Sequence, residues 1–291
     1  MIIQGTDTTQ PAPRVLAVPG LDGDPRLLLS AAPRLFRGTR TLLFDHSRDR
    51  AQDGLDGLAE RALAVLDADA EGATPSYICG ESFGGTVALT LAHRHPERVR
   101  GLILLSTFGR YPAASSRLGR LGLLLWRALG DRAARQLLRA WRPVSVPGAL
   151  GLHASFSREV LRAYLARPEL DLPAYRNKSQ LALRFDARPW LGELTCPALV
   201  LTGSWDPVVP TRAGRELAGS LAGAELWCLP GGHLVHITRA AEAGELIGRW
   251  MSGVAARPLA DSADTVGTGS LLTRMTGAAS TRWLVDALRN G

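Results

Sequence analysis

The stretch YICGESFGGTVAL, residues 77–89, runs from strand-forming residues through a glycine-rich turn into a helix-forming segment. Ser82 stands at the turn, with Gly80 and Gly84 two residues away on either side. A strand that turns abruptly into a helix strains the residue at the bend and exposes its side chain, and flanking glycines prevent collisions across the turn. The pattern favours Ser82 as a nucleophile, and the alternative is a plain turn in which Ser82 caps the helix.

Short apolar runs alternate with helix-like segments on both sides of this turn. Apolar runs ended by turn residues predict buried strands, and apolar residues at helical spacing predict helices. The predicted strands are residues 14–18, 40–45, 76–80, 98–106, 196–203 and 224–231, and the main predicted helices are 54–70, 83–95, 211–222 and 238–251. This alternation predicts an α/β fold with a mostly parallel central sheet and helices on both faces.

The alternation stops between residues 107 and 189, where the chain is rich in Arg, Leu, Ala and Trp and is broken by prolines. We therefore predict a helical insertion at 107–189, between two parts of one α/β core formed by 1–106 and 190–252. Residues 253–291 are rich in Gly, Ser, Thr and Ala and are predicted to be a C-terminal extension. The polar residues 1–13 are predicted to be a loose lead-in.

Composition excludes several classes of function. The net charge is +7 and the sequence pI is about 10.1, but the arginines are scattered and form no dense basic run, so nucleic-acid binding is not expected. The three cysteines are widely spaced and form no CxxC pair. This pattern is not typical of a disulfide framework or a zinc site and predicts buried, reduced thiols.

The N-terminal residues lack the charged start and the long apolar segment of a signal peptide. No apolar run reaches the roughly 18 residues that predict a membrane span. We therefore expect a cytoplasmic protein without a transmembrane segment, and the sequence leaves its oligomeric state open.

Polar side chains follow two later strands at the sheet edge where ligands of open parallel sheets bind. Asp206 follows the strand at 196–203, where a carboxylate could orient an imidazole, and the alternative is a local turn. His233 follows two glycines beyond the next strand and could act as a general base, and the alternative is a surface histidine. His236 competes for this role, but it lies closer to the next helix.

The loop PGLDG, residues 19–23, follows the first predicted strand. Acyl transfer needs fixed donors for the developing oxyanion, and the backbone N–H groups of Leu21 and Phe83 could supply them. The alternative is an ordinary turn. A catalytic triad of serine, histidine and aspartate on an α/β fold of this kind is expected in the chain order Ser, Asp, His. The candidates follow this order, as Ser82, Asp206 and His233.

The sequence resembles the α/β-hydrolase superfamily over roughly residues 14 to 252. The segments that carry the resemblance are PGLDG at 19–23, GESFGG at 80–85, CPALVLTGSWDPVVP at 196–210 and GGHLVHIT at 231–238. The resemblance implies an α/β-hydrolase fold with a helical cap at the insertion. It also implies Ser82 as nucleophile, His233 as base, Asp206 as acid, and an oxyanion hole formed by the backbone N–H groups of Leu21 and Phe83.

The chain departs from the family pattern at two points. Pro19-Gly20 stands where many relatives have His-Gly, and no clear Glu-x-Pro follows the histidine loop. Neither departure touches the three implied catalytic side chains.

The activity that the resemblance implies is cleavage of a small-molecule ester or thioester through an acyl-enzyme, without a metal or an organic cofactor. The alternatives are an acyltransferase that passes the acyl group to an alcohol, and a non-catalytic binding protein of the same fold. Epoxide and haloalkane hydrolysis are disfavoured because those relatives carry an aspartate at the position of Ser82. Trp126 and Trp141, in the insertion, are candidates for lining an acyl pocket.

Overall fold

Seven strands form one central sheet in the computed structural model, which describes residues 2–3, 12–150 and 170–255. All of these residues belong to one unit, Met1–Arg257. The strands are β1 (Ile2–Ile3), β2 (Arg14–Val18), β3 (Arg40–Leu43), β4 (Ser76–Glu81), β5 (Val99–Leu105), β6 (Ala198–Gly203) and β7 (Glu225–Leu229). Their order across the sheet is β1-β3-β2-β4-β5-β6-β7, and β2 to β7 are parallel. The predicted α/β fold with a mostly parallel sheet is confirmed.

Helices connect these strands and cover the sheet. They are α1 (Arg26–Leu35), α2 (Gly54–Asp67), α3 (Phe83–Arg94), α4 (Ala113–Leu150), α5 (Leu172–Arg184), α6 (Thr211–Ser220), α7 (Val235–Thr238) and α8 (Ala240–Ala255). One hydrophobic core includes buried residues of α2 and α3, and a second includes those of α1 and α8. Alternate residues of β4 enter the two cores, as a strand buried on both faces requires: Ile78 faces the first, and Tyr77 and Cys79 face the second.

The insertion between β5 and β6 is helical where it is described. Helix α4 consists of two helical segments that meet at Gly130, whose backbone φ of 78° and ψ of 171° are not helical. The buried indole of Trp126 packs α4 against α5: it stacks on Tyr175 and donates a hydrogen bond from Nε1 to Asp131 Oδ1 at 2.8 Å. Trp126 therefore has a packing role, while the side chain of Trp141 lies outside the described residues.

Two predictions about the chain's periphery are wrong. The lead-in is not loose throughout, because Ile2 and Ile3 pair antiparallel with Leu42 and Thr41 at the sheet edge. Cys228 is exposed rather than buried. It lies on β7, the strand at the opposite edge of the sheet, where four of the five residues are exposed to solvent. Of the predicted C-terminal extension, residues 253–255 belong to α8 and the rest lies outside the described residues.

Within the described ranges, no helix combines the length and apolar character that crossing a bilayer requires. The same part of the chain holds no group of three or more His, Cys, Asp or Glu side chains arranged to bind a metal ion.

Candidate active site

Ser82 occupies the junction between β4 and α3 in a strained backbone conformation, with φ 51° and ψ −117°. Neighbouring elements hold it there. Its N–H donates to Leu105 O at the end of β5 (2.8 Å), and its carbonyl accepts from Gly85 N (3.0 Å) and from Thr107 Oγ1 (2.6 Å). A strained residue persists only where its surroundings over-determine it, and these three bonds provide that constraint.

The two glycines that flank Ser82 are required for different reasons. A Cβ atom on Gly80 would approach Gly84 O and Gly85 Cα within 3.0 Å, across the turn, as the sequence pattern predicts. A Cβ on Gly84 would instead meet the carbonyl oxygens of Val18 and Pro19 within 3.0 Å. Gly84 therefore allows the first turn of α3 to approach the end of β2 and the loop 19–23.

We expect Gly84→Ala to lower the free energy of unfolding by about 3 kcal/mol. Adding a methyl group to a packed interior typically costs about 1–3 kcal/mol, and here the added Cβ meets backbone atoms that cannot move away. Gly219→Ala is the matched control, because Gly219 lies in α6 with no atom within 4 Å of its added Cβ. Urea unfolding of both variants measures the difference. A Gly84→Ala variant as stable as Gly219→Ala would contradict the close approach.

The structure brings the side chains of Ser82, His233 and Asp206 together from three strand ends. His233 Nδ1 lies 2.7 Å from Asp206 Oδ2, and His233 Nε2 lies 3.0 Å from Ser82 Oγ. The carboxylate can only accept, so Nδ1 carries the proton, and Nε2 is left to accept the hydrogen bond from the Ser82 hydroxyl. This tautomer is the one in which an imidazole can take a proton from serine.

Asp206 is held rigidly in its loop. Its other carboxylate oxygen, Oδ1, accepts from the backbone N–H groups of Val208 (2.8 Å) and Val209 (2.9 Å). Asp206 is only 5% exposed, so its charge acts on His233 with little screening by water.

The pKa of His233 is raised above its usual value of 6.5. Burial by itself lowers this pKa, but the Asp206 charge, the hydrogen bond from Nδ1 to Asp206 and the more remote Glu81 charge outweigh it. The site therefore stabilises the imidazolium that forms when His233 accepts a proton.

His236, the competing histidine, does not reach Ser82 through any hydrogen bond of the described residues. It is fully buried in α7, and its Nε2 lies 3.8 Å from Glu81 Oε1. Glu81, the residue before the serine, is also buried. The structure thus separates the two histidines, with His233 at the serine and His236 against Glu81.

The two predicted oxyanion donors have free N–H groups. Within the described residues, neither Leu21 N nor Phe83 N donates a hydrogen bond to a protein acceptor. Phe83 is also the first residue of α3, where the helix dipole favours negative charge.

Sequence reasoning missed two residues close to this site. Thr107 was given no role, yet its hydroxyl donates a hydrogen bond to Ser82 O. Tyr111 was not considered, and burial together with the nearby Asp206 charge raises the pKa of its hydroxyl above 10.0. Only the position of Thr107 just after the neighbouring strand could have indicated its role.

The family profile described as serine aminopeptidase, S33 (Hydrolase_4) matches residues 50–236. A pimeloyl-[acyl-carrier protein] methyl ester esterase of Chromobacterium violaceum is 34% identical over 188 residues, covering 59% of this chain and 70% of that one. A Variovorax paradoxus protein, provisionally named carbamate hydrolase RutD, is 33% identical over 217 residues, covering 70% and 78%.

Solved structures show the same fold. An enol-lactonase from Burkholderia xenovorans LB400 superposes with a TM-score of 0.71 at 22% identity, over 87% of this chain and 95% of that one. The family profile covers more than half of the chain. The chain therefore belongs to the S33 family of α/β-hydrolases, and it is an α/β-fold serine hydrolase.

Proposed function

We propose that this protein hydrolyses a carboxylic ester or thioester through an acyl-enzyme on Ser82. The observation that carries the proposal is the continuous hydrogen-bonded path from Asp206 through His233 to Ser82 Oγ, with distances of 2.7 and 3.0 Å. A serine hydroxyl is a weak nucleophile by itself and becomes reactive when an oriented base takes its proton.

In the first step, Ser82 Oγ attacks the carbonyl carbon while His233 Nε2 takes the hydroxyl proton. The carbonyl oxygen becomes negative and is held by the N–H groups of Leu21 and Phe83. Asp206 stabilises the imidazolium without taking its proton. The carbonyl re-forms, the bond to the leaving alcohol or thiol breaks, and His233 delivers the proton to the departing group.

In the second step, water attacks the acyl carbon and His233 again serves as the base. The bond to Ser82 Oγ breaks, the carboxylic acid leaves, and the serine recovers its proton. Every step uses groups of this chain and one water molecule.

The comparisons support an ester hydrolase in general terms, because one curated relative is named a methyl ester esterase and another a carbamate hydrolase. Both names describe hydrolysis at a carbonyl carbon. This favours water over an acceptor alcohol as the second substrate, although the same triad would serve both.

We expect kcat/KM to fall with acid pH along a limb centred above 6.5, because protonated His233 cannot accept the Ser82 proton and its pKa is raised. Glu81→Gln removes one of the negative charges that raise this pKa, so its acid limb should lie at lower pH. Profiles of kcat/KM from about pH 5 to pH 9 measure both. An acid limb of Glu81→Gln that stays in place or moves to higher pH would show that the Glu81 charge does not raise the pKa of His233.

A panel of p-nitrophenyl esters from acetate to palmitate, alongside acyl-thioesters, tests the proposed activity. The concentration of active sites is first titrated with a fluorophosphonate. We expect stoichiometric labelling that a hydrolysable ester slows by competition. A folded protein that neither labels nor turns over any member of the panel would be a non-catalytic relative, and the proposal would be abandoned.

A further inference from the structure

The only lysine of the chain, Lys178, is fully buried. It extends from α5, in the insertion, to the loop that follows β3. Its Nζ donates to the backbone oxygen of His46 at 2.8 Å and lies 3.2 Å from His46 Nδ1. A buried ammonium is costly unless it is paired, so these contacts account for a lysine at this position.

The protons along this path have one consistent arrangement. An ammonium has no acceptor, so Lys178 donates to His46 Nδ1, and the ring proton must lie on Nε2. His46 Nε2 then donates to the carbonyl oxygen of Pro19 at 3.2 Å. The path therefore runs from a helix of the insertion, through one neutral imidazole, to the loop 19–23.

The charges of the two groups fit this arrangement. Burial and the Lys178 charge lower the pKa of His46 to about 3, which keeps the ring neutral. Burial lowers the pKa of Lys178 to about 8, and nearby carboxylates partly offset the effect. These carboxylates belong to Asp22, Asp49, Asp171 and Asp45.

His46 contacts the loop that carries one proposed oxyanion donor, Leu21, and lies beside the side chain of the other, Phe83. It holds the loop 19–23 at two points, since its ring bonds Pro19 O and its backbone N–H donates to Gly23 O at 3.1 Å. Gly23 has φ 74°, and a Cβ there would lie within 3.0 Å of the His46 backbone, so the two loops are in close contact. On its other side, the imidazole ring lies 6.1 Å from the Phe83 ring, centroid to centroid.

We infer that Lys178 and His46 are positioning residues that hold the Pro19–Gly23 loop, and with it the Leu21 N–H, at the oxyanion of the reaction. The inference rests on the proposed function, because the loop matters only if an oxyanion forms at Ser82. It also connects the insertion to the oxyanion hole through two buried side chains, those of Lys178 and His46.

Two His46 variants separate the two ends of the path. His46→Gln can place its amide nitrogen near the former Nε2 and keep the donor to Pro19 O, and Lys178 still donates to the backbone oxygen of residue 46. His46→Asn can place its oxygen near the former Nδ1, where it accepts from Lys178, but its nitrogen does not reach Pro19. Lys178→Met removes the ammonium while keeping much of its apolar stem.

We expect Lys178→Met and His46→Asn to lower kcat about 10- to 100-fold, with KM changed less than about threefold. Removing one oxyanion donor lowers kcat about 10²- to 10³-fold, and the effect here should be smaller because the Leu21 N–H is displaced rather than removed. His46→Gln should stay within about fivefold of wild type by the same reasoning. Rates are expressed per active site after exhaustive fluorophosphonate titration, so unfolded protein does not contribute. The rate of phosphonylation should fall in parallel with kcat.

Asn177→Ala is the matched control. Asn177 precedes Lys178 on α5 and donates from Nδ2 to Arg50 O at 3.0 Å, so its hydrogen bond among the described residues goes to the same neighbouring loop and not to 19–23. We expect wild-type kcat per site for this variant, even if its melting temperature falls. If Lys178 and His46 contributed only to stability, Lys178→Met and His46→Asn would likewise show wild-type kcat per active site and only a lower melting temperature.

The unique lysine also provides a direct probe. In protein labelled with 15N at lysine Nζ, the single side-chain resonance should titrate near pH 8 and shift when a boronic acid forms its tetrahedral adduct at Ser82.

The inference is overturned if wild type turns over esters while Lys178→Met and His46→Asn retain kcat within about twofold per site, a change too small for any displaced oxyanion donor. It is also overturned if His46→Gln is as slow as His46→Asn. If Lys178→Met does not fold, the His46 pair decides alone. Wild type that neither labels nor turns over esters would instead show that the proposed function has failed, and the inference with it.

Discussion

Replacing Ser82 with alanine is expected to lower kcat for ester hydrolysis by about 10⁴- to 10⁶-fold, as loss of a triad serine does when the acyl-enzyme route disappears. KM should change little, because the hydroxyl contributes more to the reaction than to binding. The fold should be unaffected, since the bonds that hold this turn use the Ser82 backbone and not its hydroxyl. Steady-state kinetics and circular dichroism measure the two effects.

Ser106→Ala is the matched control for this variant. Ser106 directly follows the neighbouring strand β5, is fully buried and also has a positive φ, of 47°. Its hydroxyl has no hydrogen-bond partner among the described residues. We expect its kcat to remain near wild type, and a loss as large as that of Ser82→Ala would mean that strain in this region, rather than the Ser82 hydroxyl, limits the rate.

Replacing Asp206 with asparagine is expected to lower kcat by about 10⁴-fold at neutral pH. The reason lies in the two N–H groups, of Val208 and Val209, that bond Oδ1. Both N–H groups are donors and need an acceptor, so the side-chain oxygen of the asparagine must point toward them. The NH₂ group of the asparagine must then face His233. His233 Nδ1 then becomes the acceptor, the ring proton moves to Nε2, and the serine loses its base.

Asp186→Asn is a suitable control, because Asp186 is a partly exposed carboxylate paired with Arg188. It should retain wild-type kcat. A misplaced ring proton lowers kcat about 10⁴-fold. If Asp206→Asn kept more than about a tenth of the wild-type kcat, Asp206 would not fix the tautomer of His233 and would have only a local structural role.

The central strands could be predicted from the sequence because parallel strands buried on both faces form continuous apolar runs. The prediction of 14–18 matches β2, while the prediction of 40–45 extends two residues beyond β3 (Arg40–Leu43). The sheet edges were harder. The two residues of β1 become a strand only because β3 offers free backbone groups, which no local pattern reveals.

The three side chains of the candidate triad were selected because each follows a strand, and the carboxyl ends of parallel strands meet at one edge. That rule places residues near a site, and it does not reveal which distant side chains support them. Lys178 and His46 are separated by 132 positions, and neither lies in a motif. Their contact depends on how the insertion packs on the core, which local sequence does not determine.

The structure also gives a different reason for glycine at position 84 from the one that the sequence suggested. The sequence suggested clearance within the turn itself, but the space that Gly84 leaves is filled by the carbonyl groups of Val18 and Pro19. Glu81, to which the sequence pattern gave no role, lies beside His236, and its charge helps to raise the pKa of His233 against the lowering effect of burial.

The most direct test of the account is to locate the acyl group during turnover. The enzyme is quenched in acid while it reacts with a slowly deacylating p-nitrophenyl ester, and tryptic residues 62–94 are fragmented by mass spectrometry. We predict one acyl group on Ser82 and none in Ser82→Ala. Ester turnover with the acyl group on another residue such as Cys79, or with no acyl-enzyme on Ser82, would contradict the mechanism.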